Sequence, residues 1–328
     1  MQKVFITRRI AHEAIERLIQ HAEVDLWEGE GTPPRQEFLR RLVDAEGVVL
    51  WGEDKMDNVA MDVAPKLKVI ANVAVGYDNI DIRAATRRGI MVSNTPGVVT
   101  DSTADLTFAL MLAITRRVVE MANLTKSGGW KMWGPMDMLG CDVHHKTLGI
   151  IGLGRIGTAV AKRAKGFSMK VIYHDIIQHP DEVELGIEYI KDIPILLSMS
   201  DFVSLHVPLN QGTTHLIGVK ELSLMKPTAI LVNASRGKVI DQKALYEALK
   251  RTQIWGAAID VTEEEPIPMD DPLLTLNNII ITPHMGTQTK ETGIKMSVLA
   301  VENLIAGLKG KPMPSCVNCH LLGKKENG

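Results

Sequence analysis

The chain has 328 residues, 45% of them hydrophobic, with 37 Lys and Arg set against 39 Asp and Glu. That length calls for two domains rather than one, and a formal net charge of −2 leaves no basic field to draw nucleic acid or anionic lipid. No stretch approaches the about 18 uncharged apolar residues of a membrane span. Residues 1–7 lack a secretory signal, and with just three cysteines, Cys141, Cys316 and Cys319, a disulfide framework is not expected and a reducing cytoplasm is.

Short apolar runs alternate with helical patterns. In the first hundred residues the strand-like runs are Val4-Phe5-Ile6, Val24-Asp25-Leu26, Val48-Val49-Leu50, Val69-Ile70-Ala71 and Ile90-Met91-Val92, with amphipathic stretches such as 11–20 and 35–43 between them. A single long helix is predicted over 102–127, closed by Gly128-Gly129. A second series follows, with strand-like runs at 148–151, 170–173, 202–206, 229–233, 256–259 and 279–282. Residues 291–308 form a last amphipathic stretch before a polar tail whose end, 323–328, is expected to be disordered. Strands alternating with helices imply βαβ units and parallel sheets, so the chain reads as two α/β units, each a doubly wound parallel sheet.

The second unit opens on Gly152-Leu153-Gly154-Arg155-Ile156-Gly157, after the strand-like 147–151 and before a helical pattern over 156–165. By itself Gly-x-Gly-x-x-Gly is a weak signal, because glycines also serve plain packing turns. In this setting the first glycine makes the tight turn, the second lets backbone approach a pyrophosphate, and the third lets helix and strand pack closely. The diphosphate then sits at the positive end of the helix. After the next strand comes His174-Asp175, the acid lying 18 residues past Gly157. An acid there accepts hydrogen bonds from the adenosine ribose and repels a 2′-phosphate, which favours NAD(H) over NADP(H).

Three further motifs stand at the ends of strands in the same series: Asn233-Ala234-Ser235-Arg236-Gly237, the run from Asp260-Val261 to Glu265-Pro266, and Pro283-His284-Met285-Gly286. Singly, Arg236 reads equally well as a surface ion pair, Glu265 as a solvated loop acid and His284 as a turn histidine. Together they suit reduction of a 2-oxo acid. A guanidinium forks onto the carboxylate and polarises the carbonyl. A protonated imidazole neutralises the charge that hydride delivery puts on the carbonyl oxygen, and a carboxylate orients that imidazole and raises its pKa.

With Val75-Gly76-Tyr77-Asp78-Asn79-Ile80-Asp81 and Asn94-Thr95-Pro96-Gly97 added, the motifs cover nearly the whole chain, which resembles the D-isomer-specific 2-hydroxyacid dehydrogenase family. The stretches Gly129-Trp130, Trp133-Gly134-Pro135, Leu304-Ile305-Ala306-Gly307 and Lys311-Pro312 are similar to its glyoxylate and hydroxypyruvate reductase branch. The resemblance implies two Rossmann-like or flavodoxin-like domains: residues 1–98 plus 288–328 for substrate, and 99–287 for NAD. It implies Arg236, Glu265 and His284 as the catalytic set. The Val75 and Gly76 amides would hold the substrate carboxylate, and Trp133 would reach the partner's site in a homodimer built on the helical stretch near 102–127. Thr103, the glycine turn, Asp175, Val207, Pro208, Ala234, Ser235, Arg236, Asp260, His284 and Gly286 would line the cofactor site, with Asp260 on the carboxamide.

There are departures from the family pattern. Members of this branch often carry Ser-Arg or Gly-Arg where His174-Asp175 stands, Thr262 replaces an aromatic residue, and Thr287-Gln288 replaces a small pair; neither of the last two is expected to touch the chemistry. Other readings stay open: a 2-ketogluconate, phosphoglycerate, formate or phosphite dehydrogenase, or an NADH-sensing corepressor built on the same fold. Cys316-Val317-Asn318-Cys319-His320 spells a c-type haem attachment site. It is read instead as an exposed tail with two free thiols, because haem attachment accompanies export.

Overall fold

The computed structural model describes residues 1–322, so the expectation for 323–328 lies outside the described residues. The chain divides into two compact units, Met1–Val99 with the C-terminal stretch from Thr287, and Thr100–Gly286.

The first unit carries β1 (Gln2–Ile6), β2 (Ala22–Leu26), β3 (Gly47–Leu50), β4 (Val69–Asn72) and β5 (Met91–Ser93) in the order β2-β1-β3-β4-β5, all parallel. β3 and β4 are buried along their whole length, as their apolar sequence, broken only by Asn72 at the end of β4, requires of strands covered on both faces. One cover is the helix Lys290–Leu308. It starts at Thr289, whose side chain accepts the Thr292 N–H, and it packs so closely that a Cβ at Gly307 would lie 2.8 Å from Val69. The other is an apolar cluster centred on Phe5, Phe38, Leu42, Val48 and Ile70.

The second unit holds β6 (Thr147–Ile151), β7 (Lys170–His174), β8 (Glu188–Tyr189), β9 (Phe202–Leu205), β10 (Ile230–Asn233), β11 (Gly256–Ile259) and β12 (Ile279–Ile281) in the order β12-β11-β10-β9-β6-β7-β8, again all parallel. Side chains alternate across this sheet with the strand period of two. Leu148, Ile150, Phe202, Ile230 and Val232 join one core with Ala104, Phe108 and Val160. Ile151, Val203, Leu205, Leu231 and Ile259 join the other with Leu196, Leu222 and Leu245. Truncating one of these to Ala carries a cost of about 2–5 kcal/mol.

Both units are thus doubly wound α/β domains. Strand order reverses between β1 and β3 in the first and between β6 and β9 in the second, the places where such sheets bind ligands.

Two expectations are corrected. The helix predicted over 102–127 is two helices, Thr100–Thr115 and Val118–Lys126. Arg117 between them is left-handed, at φ 52°, and the Thr115 carbonyl takes its N–H from Cys141 at 3.0 Å rather than from further along a helix. The C-terminal tail is not an exposed pair of free thiols. Cys316 and Cys319 form a disulfide, and Asn318 between them is fully buried. Its side chain accepts the Val92 N–H (2.9 Å) and donates to the Ile90 carbonyl (2.9 Å), so β5 and the residue before it supply partners that composition alone does not reveal.

Candidate active site

The glycine turn joins β6 to the helix Arg155–Ala164. Gly152 has φ 94°, and a Cβ there would lie 2.8 Å from the His206 backbone just past β9, so a side chain is excluded twice over. A Cβ at Gly157 would lie 2.2 Å from the Gly152 carbonyl oxygen, the close helix–strand packing expected of the third glycine. Around a Cβ at Gly154 there is open space, and Gly154 caps its helix without a side-chain bond. Leu153 is buried and Ile156 packs on the core, while Arg155 is exposed. These features fit a pyrophosphate resting on helix N–H groups.

Asp175 follows β7, and its carboxylate accepts the N–H of Leu153 in the glycine turn and that of Ile176, each at 2.7 Å. A carboxylate has about four acceptor sites, so capacity remains for ribose hydroxyls. Val207 lies against the turn, with Cγ1 2.9 Å from a Cβ placed at Gly152, and the Pro208 carbonyl accepts the Thr213 hydroxyl at 2.6 Å.

The turn after β10 is fixed by Asn233, which is fully buried. Its side-chain oxygen accepts from the Ser235 N–H (3.0 Å) and hydroxyl (2.8 Å), and its amide donates to the Arg236 carbonyl (2.9 Å). Ala234 and Arg236 are thereby set at the strand's end. A Cβ at Gly237 would overlap the Thr262 carbonyl, 1.9 Å away, so only glycine lets this turn close onto the loop that carries Glu265.

Glu265 Oε2 lies 2.7 Å from His284 Nδ1, and Glu265 Oε1 accepts the Thr262 N–H at 3.1 Å. That bond comes from the Thr262 backbone, so it does not depend on which side chain stands there. The Glu265 bond holds the His284 imidazolium above its ordinary pKa, against burial and the nearby Arg236 charge. Burial pushes the Glu265 carboxyl up, but the bond and charge of His284, the Thr262 amide and Arg236 outweigh it, and the net shift is downward. The imidazole side chain keeps 44% of its surface exposed, so its other nitrogen remains accessible.

His284 is itself left-handed, at φ 51°. Asp260, 1% exposed, holds that turn from within: its carboxylate accepts the Thr282 hydroxyl (2.6 Å) and the N–H groups of Met285 and Gly286 (2.8 Å each), and its carbonyl accepts the His284 N–H (2.9 Å). Thr103 lies beside it, its methyl 3.4 Å from a Cβ placed at Gly286. The sequence motifs assign no role to Asn233 and do not reveal the turn-holding task of Asp260. Both tasks depend on where backbone N–H groups end up, which residue spacing does not encode.

In the first unit, the Ala74 carbonyl accepts the Thr95 N–H (2.9 Å) and the Val75 carbonyl accepts the Asn94 side chain (2.8 Å). A trans peptide points its N–H opposite its carbonyl. Each bond therefore fixes its peptide, and with it the direction of the Val75 or Gly76 N–H, away from residues 94 and 95. Trp133 lies in the irregular stretch after the helix Val118–Lys126, 43% exposed.

Residues 108–286 match the sequence model of the D-isomer specific 2-hydroxyacid dehydrogenase NAD-binding domain. The chain is 51% identical over 318 residues to a glyoxylate reductase of Korarchaeum cryptofilum, covering 96% of each. Among solved structures it is similar to a protein of Thermus thermophilus, with TM-score 0.91, 44% identity, and 96% and 100% of the two chains covered. It is also similar to an NADPH-dependent glyoxylate/hydroxypyruvate reductase of Sinorhizobium meliloti, with TM-score 0.84, 29% identity, and 97% and 98% covered.

Proposed function

Because the chain belongs to the D-isomer-specific 2-hydroxyacid dehydrogenase family, we propose that it reduces a small 2-oxo acid, glyoxylate or hydroxypyruvate, to the D-2-hydroxy acid with NADH. The observation that carries the reading is the 2.7 Å Glu265–His284 bond, on a unit that also carries Arg236 and the glycine turn.

A nicotinamide cofactor, when bound, supplies the hydride. Arg236 forks onto the substrate carboxylate and polarises the carbonyl. The Val75 and Gly76 N–H groups take the carboxylate as well. His284 gives its proton to the carbonyl oxygen as charge grows there, and Glu265 keeps the imidazole oriented and protonated beforehand. Asp260 and Gly286 shape the carboxamide pocket, along with Thr103, Ala234, Ser235, Val207 and Pro208. In this reading the unit containing Met1–Val99 takes the substrate and Thr100–Gly286 takes NADH.

NADH is preferred over NADPH because Asp175 puts a negative charge where a 2′-phosphate would lie, whereas the Sinorhizobium relative is named for NADPH. A homodimer is proposed as the working form. The helix Val118–Lys126 buries none of its residues, and Val118, Val119, Trp130, Met132 and Trp133 are exposed around it. Among the described residues no helix is long and apolar enough to cross a membrane, and the cysteine-poor composition favours the cytoplasm. The test is a panel of NADH and NADPH against glyoxylate, hydroxypyruvate, pyruvate, phenylpyruvate and 2-ketogluconate. Highest kcat/KM for NADH with glyoxylate or hydroxypyruvate supports the reading; preference for NADPH or for 2-ketogluconate overturns that part of it.

A further inference from the structure

The Cys316–Cys319 disulfide has no part in the reaction above, yet its segment is built into the unit that carries Val75 and Gly76. Cys316 bridges antiparallel to Ser93, and the Val317 N–H donates to the Val92 carbonyl at 2.7 Å, so the segment lies along β5, the edge of its sheet. Asn318, inside the disulfide loop, gives both ends of its side chain to β5 and the chain just before it: its oxygen accepts the Val92 N–H, and its nitrogen donates to the carbonyl of Ile90, next to β5 (2.9 Å), and to the hydroxyl of Thr86 in the helix Ile82–Arg87 (3.0 Å). Just ahead of the loop, the Ser315 hydroxyl donates to the Asn94 carbonyl at 2.6 Å. The Asn94 side chain in turn donates to the Val75 carbonyl at 2.8 Å. An unbroken chain of bonds thus runs from the disulfide loop through Ser315 and Asn94 to the peptide that aims the Gly76 N–H.

We propose that Cys316 and Cys319 are a redox modification site, open to thiol–disulfide exchange with a dithiol reductant, and that the closed disulfide latches the segment on β5 and so holds the Val75–Gly76 peptide. A disulfide in a reducing compartment is typically transient and redox-sensing rather than structural. Both cysteines are half-buried, within reach of a reductant. The Cys319 N–H points at the Cys316 sulfur from 3.1 Å, which favours negative charge on Cys316 and makes it the better leaving group. One thiolate of the dithiol attacks the Cys319 sulfur, the S–S bond breaks, and its electron pair leaves on Cys316. The dithiol's second thiolate then attacks its own sulfur in the mixed disulfide and releases Cys319. The reductant ends as a disulfide, and its two electrons and two protons end on the two cysteines. Asn318 then loses the constraint that presents it to β5. Closing so short a loop is worth roughly a factor of ten in the ratio of docked to undocked segment.

The effect on turnover rests on Val75 and Gly76 as the carboxylate site, so the test has a second readout that does not. The full chain is oxidised with diamide or reduced with dithiothreitol, and its thiols are counted by alkylation and intact mass. Oxidised protein should take up label at Cys141 alone, and reduced protein at all three cysteines. On reduction, amide exchange at Val92 and Val317 should speed up, and KM for glyoxylate should rise roughly three- to tenfold with kcat and KM for NADH nearly unchanged, the size expected when a short loop closure is released. C316S/C319S should show the reduced behaviour in both conditions, and Cys141→Ser should respond like wild type. Three reactive thiols after oxidation, or exchange indifferent to redox state, overturns the latch. Exchange that responds while KM does not overturns its link to the substrate peptide. Exchange that responds in a protein that turns over no 2-oxo acid leaves the latch standing and removes the functional reading instead.

Discussion

Glu265 Oε2 and His284 Nδ1 are 2.7 Å apart, and this bond is the main reason the His284 pKa lies above its ordinary value. In the proposed mechanism reduction needs His284 protonated, so kcat/KM should fall as pH rises through that pKa. Removing the carboxylate lowers the pKa and moves the fall to more acid pH; oxidation of the hydroxy acid shows the opposite limb. Glu265→Gln should therefore shift the alkaline limb of reduction to lower pH and cut kcat about ten- to a hundredfold, up to the lower limit of what a positioned general acid contributes, because the imidazole itself remains. A pH profile of both directions checks it.

Arg236→Lys should not rescue Arg236→Ala. A lysine keeps the charge but lacks the planar fork that reads carboxylate and carbonyl together. Both variants should lose on the order of a hundredfold or more in kcat/KM for glyoxylate, a loss of about 3 kcal/mol in transition-state binding. NADH affinity, read by fluorescence titration, should move far less.

Asp175→Ser removes the charge proposed to repel a 2′-phosphate and also the carboxylate that accepts the Leu153 N–H. The ratio of kcat/KM for NADPH to that for NADH should rise about tenfold or more, with NADH binding weakened by the lost hydrogen bond, about 1 kcal/mol. Paired titrations with the two cofactors measure this.

Asp260→Asn puts an amide NH2 where the carboxylate now accepts three donors. At least one buried N–H or hydroxyl loses its partner, which costs about 1–3 kcal/mol. The left-handed His284 loses part of its support as well. Denaturant melts should show the stability loss, and kcat should fall although no atom of His284 or Glu265 has changed.

The exposed apolar set on and after the helix Val118–Lys126 predicts self-association. Val119→Asp combined with Met132→Asp should shift sedimentation from dimer to monomer and lower activity where Trp133 serves a partner's site. A wild type that sediments as a monomer at assay concentration contradicts this.

Much of this was legible in the sequence because α/β folds advertise themselves. Apolar runs such as Gly47–Leu50 and Ile230-Leu231-Val232 follow from strands covered on both faces, and each motif stands at a strand end. What escaped depends on tertiary partners. The break at Arg117 is set by Cys141, 24 residues on, taking the Thr115 carbonyl. Residues 316–319 are held by Asn318 meeting β5, more than 200 residues back in sequence. Asn233 and Asp260 hold their turns through backbone N–H groups that no spacing rule counts.

Deuterium transfer tests the central claim most directly. With NADH deuterated on the transferable face of the nicotinamide, the hydroxy acid formed from glyoxylate or hydroxypyruvate should carry the label on the former carbonyl carbon, at a rate that His284→Ala lowers by about a hundredfold or more. Product without label, no product, or a His284→Ala rate near that of wild type would contradict it.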